Sequence, residues 1–111
     1  MTFRGAEVAV SSTSGEGGSI DLLFLDSAGL FLIVEVKVKQ EELDKAVGQL
    51  PRHARLYAET FHIEASRLRL AVACPDILPT RIAEFAEIGI VCFPLPRYLL
   101  DTVWPGTDIR R

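Results

Sequence analysis

Several features are scarce or missing in this sequence, and each absence excludes a class of protein. Its 111 residues include only two cysteines, Cys74 and Cys92, in apolar segments with no histidine or cysteine nearby at metal-ligand spacing. A disulfide framework and a zinc site are therefore not expected. The longest apolar run, residues 29–34, is far shorter than the roughly 18 residues of a membrane span. No apolar stretch of the signal-peptide kind follows Met1. These absences predict a cytoplasmic protein without membrane contact.

Charge of either sign is also modest. The net charge of −3 lacks the positive excess with which many proteins coat nucleic acid, so such contact would need a local basic patch. A hydrophobic content of 49% and a charged content of 24% are typical of a globular domain. We expect residues 1–111 to form one domain, with an irregular tail over residues 95–111 that packs through Tyr98, Leu99 and Trp104.

The spacing of apolar residues predicts five strands and two helices. The strands are expected at residues 7–12, 19–26, 30–38, 67–74 and 90–93, and the helices at residues 41–61 and 79–88. Pro51 removes the hydrogen bond to the carbonyl of Val47, so we expect a kink or a break in the long helix. The second and third strands are apolar on both faces, which is typical of strands covered on both sides. This order predicts an α/β layered fold.

The second and third strands place two acidic residues in register. Residues 27–29 (Ser-Ala-Gly) predict a three-residue hairpin loop, and a turn centred on Ala28 puts Asp21 opposite Glu35. Opposed residues project from the same face of a sheet, so the two carboxylates would lie about 5 Å apart. At an effective dielectric near 20 such a pair repels by about 3 kcal/mol. A hairpin has no structural use for this repulsion, which points to a functional site.

A divalent cation would turn this repulsion into a binding site. Carboxylate oxygens of Asp21 and Glu35, with the backbone carbonyl of Val36, suit Mg²⁺ or Mn²⁺. Lys37 shares the face of Glu35 and is expected to orient an attacking water or to neutralise developing negative charge. These residues predict hydrolysis of a phosphodiester. The interpretation depends on the register, because a slip of one residue would put the two acids on opposite faces.

The run GSIDLLFLDSAGLFLIVEVKVKQ (residues 18–40), followed by AVGQL (residues 46–50) on the helix, resembles the PD-(D/E)XK nuclease superfamily. This is the restriction-endonuclease-like fold, and the resemblance is to its RecB-like and NucS-like branch over about residues 5–94. It implies a three-layer fold in which helices flank a central mixed five-stranded sheet. The resemblance also implies site residues, namely the metal-binding Asp21 and Glu35, the catalytic Lys37, and Gln49 at the active site.

Basic residues on the long helix are candidates for phosphate contact. Arg52, His53 and Arg55 follow Gln49 with no acidic residue among them. Together with Lys39, they are expected to form a positive lip that binds backbone phosphates. The other interpretation is an ordinary solvated helix face.

Two departures from the family pattern leave alternatives open. The branch carries Q-x-x-x-Y, whereas His53 stands four residues after Gln49 and Tyr57 follows one helical turn later. Family members also have an N-terminal helix with an acidic residue, and only six residues precede Glu7 here. The chain would then be a minimal or truncated version, obtain the missing part from a partner subunit, or have a degenerate site. We expect Glu7 to be a strand-start residue rather than a substitute ligand.

The residues and the resemblance together predict a metal-dependent deoxyribonuclease. An endonuclease is expected rather than an exonuclease, with Mg²⁺ or Mn²⁺ as cofactor, DNA as partner and a homodimer as the assembly. The alternative is a catalytically degenerate nuclease-fold module for DNA binding or subunit assembly. A nuclease that acts on RNA or in defence is a third possibility. Catalysis would require the cation, Glu35 and Lys37, whereas a binding module would require none of them.

Overall fold

The computed structural model describes residues 1–95, which form one mixed sheet and two helices. The strands are β1 (Thr2–Ser11), β2 (Gly17–Leu25), β3 (Phe31–Val36), β4 (Leu68–Cys74) and β5 (Ile90–Pro94), and the helices are α1 (Leu43–Phe61) and α2 (Pro79–Glu87). The strands lie in chain order, antiparallel from β1 to β3 and parallel from β3 to β5. The predicted α/β class and mixed five-stranded sheet are confirmed. The tail residues Tyr98, Leu99 and Trp104 lie outside the described residues.

The hairpin between β2 and β3 has the predicted turn and register. Gly29 has a φ of 83°, and the Asp26 carboxylate accepts hydrogen bonds from two turn amides at 2.9 Å. The two strands pair about a centre at Ala28. The last bonded pair on the side away from the turn is Leu22 with Val34. The next pair in the same register places Asp21 opposite Glu35.

Both helices of residues 1–95 lie on one face of the sheet. Leu50 of α1 and Phe85 of α2 belong to the same hydrophobic core, and Arg81 of α2 forms an ion pair with Asp44 of α1. The cause is topological. Two right-handed crossovers that step in the same direction, from β3 to β4 to β5, deliver their helices to the same face. A smaller apolar cluster around Val34 lies on the other face.

The long helix passes through Pro51 without the expected break. α1 is continuous over its 19 residues, and its buried positions recur at spacings of three and four, as expected of a helix that packs along one stripe. They are Leu43, Ala46, Leu50, His53, Leu56 and Tyr57. Pro51 and Val47 are both exposed. Because the carbonyl that loses its partner is on the solvent side, packing of the opposite stripe holds the helix together.

β1 and β3 have different ends from those predicted. β1 begins at Thr2 because β2 is long enough to pair with residues before Glu7. Glu7 therefore lies inside the strand, with a φ of 50°, and its interpretation as a strand-start residue is wrong. β3 ends at Val36, although the amide of Lys37 still donates to the carbonyl of Ala73 at 2.8 Å.

Both helices are amphipathic, and both pack against the same face of the sheet. α2 begins at Pro79 and is followed by Gly89, with a φ of 80°, as the sequence predicted. Within residues 1–95, neither helix is long and apolar enough to cross a bilayer.

Replacing Pro51 by alanine is expected to stabilise the protein by about 1–3 kcal/mol. Proline in a helix interior is about 3 kcal/mol less favourable than alanine, and the new amide can bond to the Val47 carbonyl. Urea denaturation measures the difference. Lys45→Ala, at another exposed position of α1, is the control and should change stability by less than about 0.5 kcal/mol. A Pro51→Ala variant no more stable than wild type would contradict the expectation.

Candidate active site

Two acidic side chains from neighbouring strands lie under the long helix. Glu35, on the face of β3 that contributes Ile33 to the larger core, is only 3% exposed. Asp21 of β2 is half-buried, and its Oδ2 accepts a hydrogen bond from the amide of Val36 at 2.8 Å. The hairpin therefore fixes one carboxylate against the strand that carries the other.

The sheet is distorted where Asp21 lies. Ile20 and Leu23 both belong to the larger core, although a regular strand would place residues three apart on opposite faces. The β1–β2 register puts Glu7 opposite Asp21 without a bonded pair there, and Glu7 has a left-handed φ of 50°. Irregularities of this kind re-aim side chains and occur often beside active sites.

Burial is the main reason why the acidic pair is chemically unusual. It raises the pKa of Glu35 to about 8, helped by repulsion from Asp21 and by a hydrogen bond that protonated Glu35 donates to Asp21, while the Lys37 charge lowers that pKa. At neutral pH and without a cation, Glu35 is therefore largely protonated. A divalent cation can take the place of this proton.

His53 is buried in the site rather than on a positive lip, so its predicted role as a phosphate contact is wrong. It is 7% exposed, and its Nδ1 lies 2.5 Å from Oε1 of Glu35. Its position between Leu50 and Leu56 on the buried stripe of α1 turns it toward the sheet. Burial, and then the charge of Arg52, lower the pKa of His53. The contact with Glu35 is therefore a hydrogen bond between neutral groups near pH 7 and not a full ion pair.

Gln49 lies one helical turn before His53, on the same side of α1. It is half-buried, and its Oε1 is fully buried with no hydrogen-bond partner within residues 1–95. A buried oxygen without a partner costs about 1–3 kcal/mol. This unpaired atom favours a ligand on the side of the helix that faces the two acids.

Arg52 and Arg55 lie at the surface, where both bind Glu16 of the turn between β1 and β2. Arg52 Nε donates to Glu16 at 2.7 Å, and Arg55 donates to both carboxylate oxygens at 2.9 Å. The Arg55 guanidinium, and then that of Arg52, lower the pKa of Glu16. Both candidate phosphate contacts thus share one carboxylate, which offsets half of their combined charge.

The remaining sequence candidates lie around the end of β3. Lys37 follows the strand directly and is close enough to influence the pKa of both Glu35 and His53. Lys39 is exposed at the start of the short 3₁₀ turn Gln40–Glu42. The roles of Lys37, of Lys39 and of the Val36 carbonyl stay predictions.

The donor set fits a cation that takes few protein ligands. Within residues 1–95, no group of three or more His, Cys, Asp or Glu side chains is arranged to hold a metal. Mg²⁺, however, is commonly held by one or two carboxylates, with waters and substrate phosphates as the other ligands. Asp21 and Glu35 fit that pattern.

Sequence reasoning missed two residues that shape the site, Glu16 and Gly18. A Cβ at Gly18 would lie 3.0 Å from Cδ2 and Nε2 of His53 and 3.2 Å from a guanidinium nitrogen of Arg52. Glycine inside a strand often marks such a close approach, and this signal was present in the sequence. A single glutamate in a turn carries no comparable signal.

The fold is similar to that of two solved proteins. One is EndoMS in a complex with double-stranded DNA, with a TM-score of 0.61 and 19% identity over 86% of this chain and 36% of that chain. The other is a repair endonuclease from Pyrococcus abyssi, with a TM-score of 0.55 and 17% identity over 87% of this chain and 40% of that chain. The chain has the restriction-endonuclease-like fold.

The predicted resemblance is thereby confirmed at the level of this fold. The chain spans less than half the length of either of these two proteins. No protein-family model and no curated protein sequence matches it.

The stability of the cation-free protein is expected to fall as the pH rises from 6.5 to 8. The ordinary pKa of Glu35 is 4.5 and its folded pKa is about 8, so the folded state binds more protons across this window and loses stability as they leave. His53 has a lowered pKa and an ordinary value of 6.5. It opposes this trend only below pH 6.5, where the unfolded chain becomes protonated.

Urea denaturation in the presence of a chelator measures this effect, expected at about 1–2 kcal/mol over the window. Glu35→Gln should abolish the slope and be the more stable protein at pH 8. Glu84→Gln, an exposed carboxyl of α2, is the control and should keep the slope. A wild-type stability that is flat from pH 6.5 to 8 would contradict the raised pKa.

Proposed function

We propose that this chain is a metal-dependent deoxyribonuclease domain that cleaves DNA internally. The observation that carries the proposal is the acidic pair, Asp21 and Glu35, held side by side beneath α1 with the pKa of Glu35 raised to about 8. The fold is shared with a repair endonuclease and with EndoMS, which was solved on double-stranded DNA. These likenesses support DNA as the substrate.

The chain supplies the ligands and the charge that such a reaction needs. Asp21 and Glu35, with the carbonyl of Val36, would hold Mg²⁺ or Mn²⁺. Such a cation lowers the pKa of water and stabilises negative charge on a phosphoryl oxygen. The ammonium group of Lys37 places positive charge beside the pair, where negative charge develops on the phosphate. Gln49 presents its amide from α1 to help position the attacking water.

Basic side chains around the site would position the DNA. Lys39, Arg52 and Arg55 are candidates for contacts with backbone phosphates, which orient a duplex without reading its sequence. A single copy of so small a domain offers a shallow platform. We therefore include in the proposal a homodimer in which two copies bracket the DNA.

Metal binding and cleavage should depend on the same residues. Mg²⁺ at millimolar concentration is expected to raise the melting temperature of wild type, because it binds the folded state, and to leave that of Asp21→Asn unchanged. Cleavage of duplex DNA is expected to fall at least about 100-fold in Glu35→Gln and in Lys37→Ala, while DNA binding persists. Plasmid nicking and fluorescence anisotropy measure the two activities.

Glu84→Gln is the matched control and should cleave as wild type does. A degenerate binding module would instead bind DNA in a salt-sensitive way, with no response to chelator or to these substitutions. Absence of any metal-dependent shift in the wild-type melting temperature would refute the nuclease proposal.

Glu16→Gln is expected to tighten DNA binding by about 3–10-fold at low salt. The substitution removes the negative charge that pairs with Arg52 and Arg55, so both guanidinium groups become more available to phosphates and the salt dependence becomes steeper. Anisotropy titrations of labelled duplex DNA at two salt concentrations measure both effects.

The control for net charge is Glu84→Gln, which removes one negative charge from α2, away from the two arginines. In a background that already carries Arg52→Ala and Arg55→Ala, Glu16→Gln should add nothing beyond this general effect. Equal affinities of the Glu16→Gln and Glu84→Gln variants would contradict a role for the two arginines in DNA binding.

A further inference from the structure

His53 is enclosed between an acidic ligand candidate and the backbone of β2. Its Nδ1 lies 2.5 Å from Oε1 of Glu35. On the other side of the ring, a Cβ at Gly18 would come within 3.0 Å of both Cδ2 and Nε2. The imidazole thus occupies space that only a glycine at this point of the strand leaves free.

Neither ring nitrogen of His53 is placed to bind a cation directly. Nδ1 is engaged by Glu35, and Nε2 faces the Gly18 backbone. Packing alone does not explain the residue either, because a buried polar ring is unfavourable unless it is hydrogen-bonded. Within residues 1–95, the hydrogen bond to Glu35 is the one that satisfies the ring.

Each residue of the acidic pair has a hydrogen-bond partner. The amide of Val36 fixes Asp21, and His53 contacts Glu35. Groups that hydrogen-bond to a metal ligand on the side away from the metal orient that ligand, and their loss commonly lowers metal affinity by about 10–100-fold. The arrangement of His53 matches such a role.

We propose that His53 is a positioning residue, which holds the Glu35 carboxylate in one orientation beside Asp21 and is itself seated against Gly18. This inference rests on the proposed metal-dependent function. It assigns to His53 no contact with the cation or with DNA.

The test measures binding of Mn²⁺ alone, through the electron paramagnetic resonance signal of the free ion, with no DNA and no turnover. His53→Leu should weaken Mn²⁺ binding by about 10–100-fold. His53→Asn, whose amide can reach toward Glu35 as Nδ1 does, should restore affinity to within about threefold of wild type. Circular dichroism and melting without metal report whether each variant is folded.

A second pair of variants tests the contact between His53 and Gly18 without changing His53. Gly18→Ala should displace the ring and weaken Mn²⁺ binding by about tenfold. Gly17→Ala is the matched control, since a Cβ there meets only the Val10 carbonyl at an ordinary 3.7 Å, and it should bind as wild type does. This pair keeps the inference testable even if His53→Leu fails to fold.

The outcomes separate the two proposals. If wild type binds Mn²⁺ and Glu35→Gln does not, while Gly18→Ala and the folded His53 variants bind as wild type does, the positioning role is overturned and the proposed function stands. Equal loss in His53→Asn and His53→Leu would also overturn it, because a hydrogen-bonding group would then rescue nothing. If wild type binds no Mn²⁺, both proposals fail.

Discussion

Burial of Glu35 beside Asp21 is the interaction on which the rest of the site depends. Burial, and then repulsion from Asp21, makes ionised Glu35 unfavourable and raises its pKa to about 8. The surrounding contacts make sense in relation to that pair. Val36 binds one acid, His53 binds the other, and Lys37 places a compensating charge next to them.

The sequence predicted the parts of this site that local rules control. A three-residue loop ending in glycine determines the register of β2 and β3, and the register brings Asp21 and Glu35 together. The α/β class followed in the same way from the order of strands and helices. These predictions succeeded because hairpin geometry and strand periodicity act over only a few residues.

The parts that the sequence did not predict depend on tertiary packing. The identity of His53 suggested a surface base, but the buried stripe of α1 turns it toward Glu35. Pro51 was expected to interrupt the helix, and the packing of the opposite side keeps it continuous. Glu16 reaches Arg52 and Arg55 across 36 and 39 residues of chain, a distance over which no local pattern exists. The direction of both crossovers, which places the two helices on one face, likewise appears only when the strand order is known.

The proton that Glu35 holds near neutral pH has a consequence for how the site would fill. Any divalent ion that enters must expel that proton, so loading is an exchange and not a simple addition. Protons and divalent cations would then compete for the site. A higher pH would lower the ion concentration required for occupancy, and a lower pH would raise it. Occupancy of the proposed site would in this way depend on both quantities through the carboxyl group of Glu35.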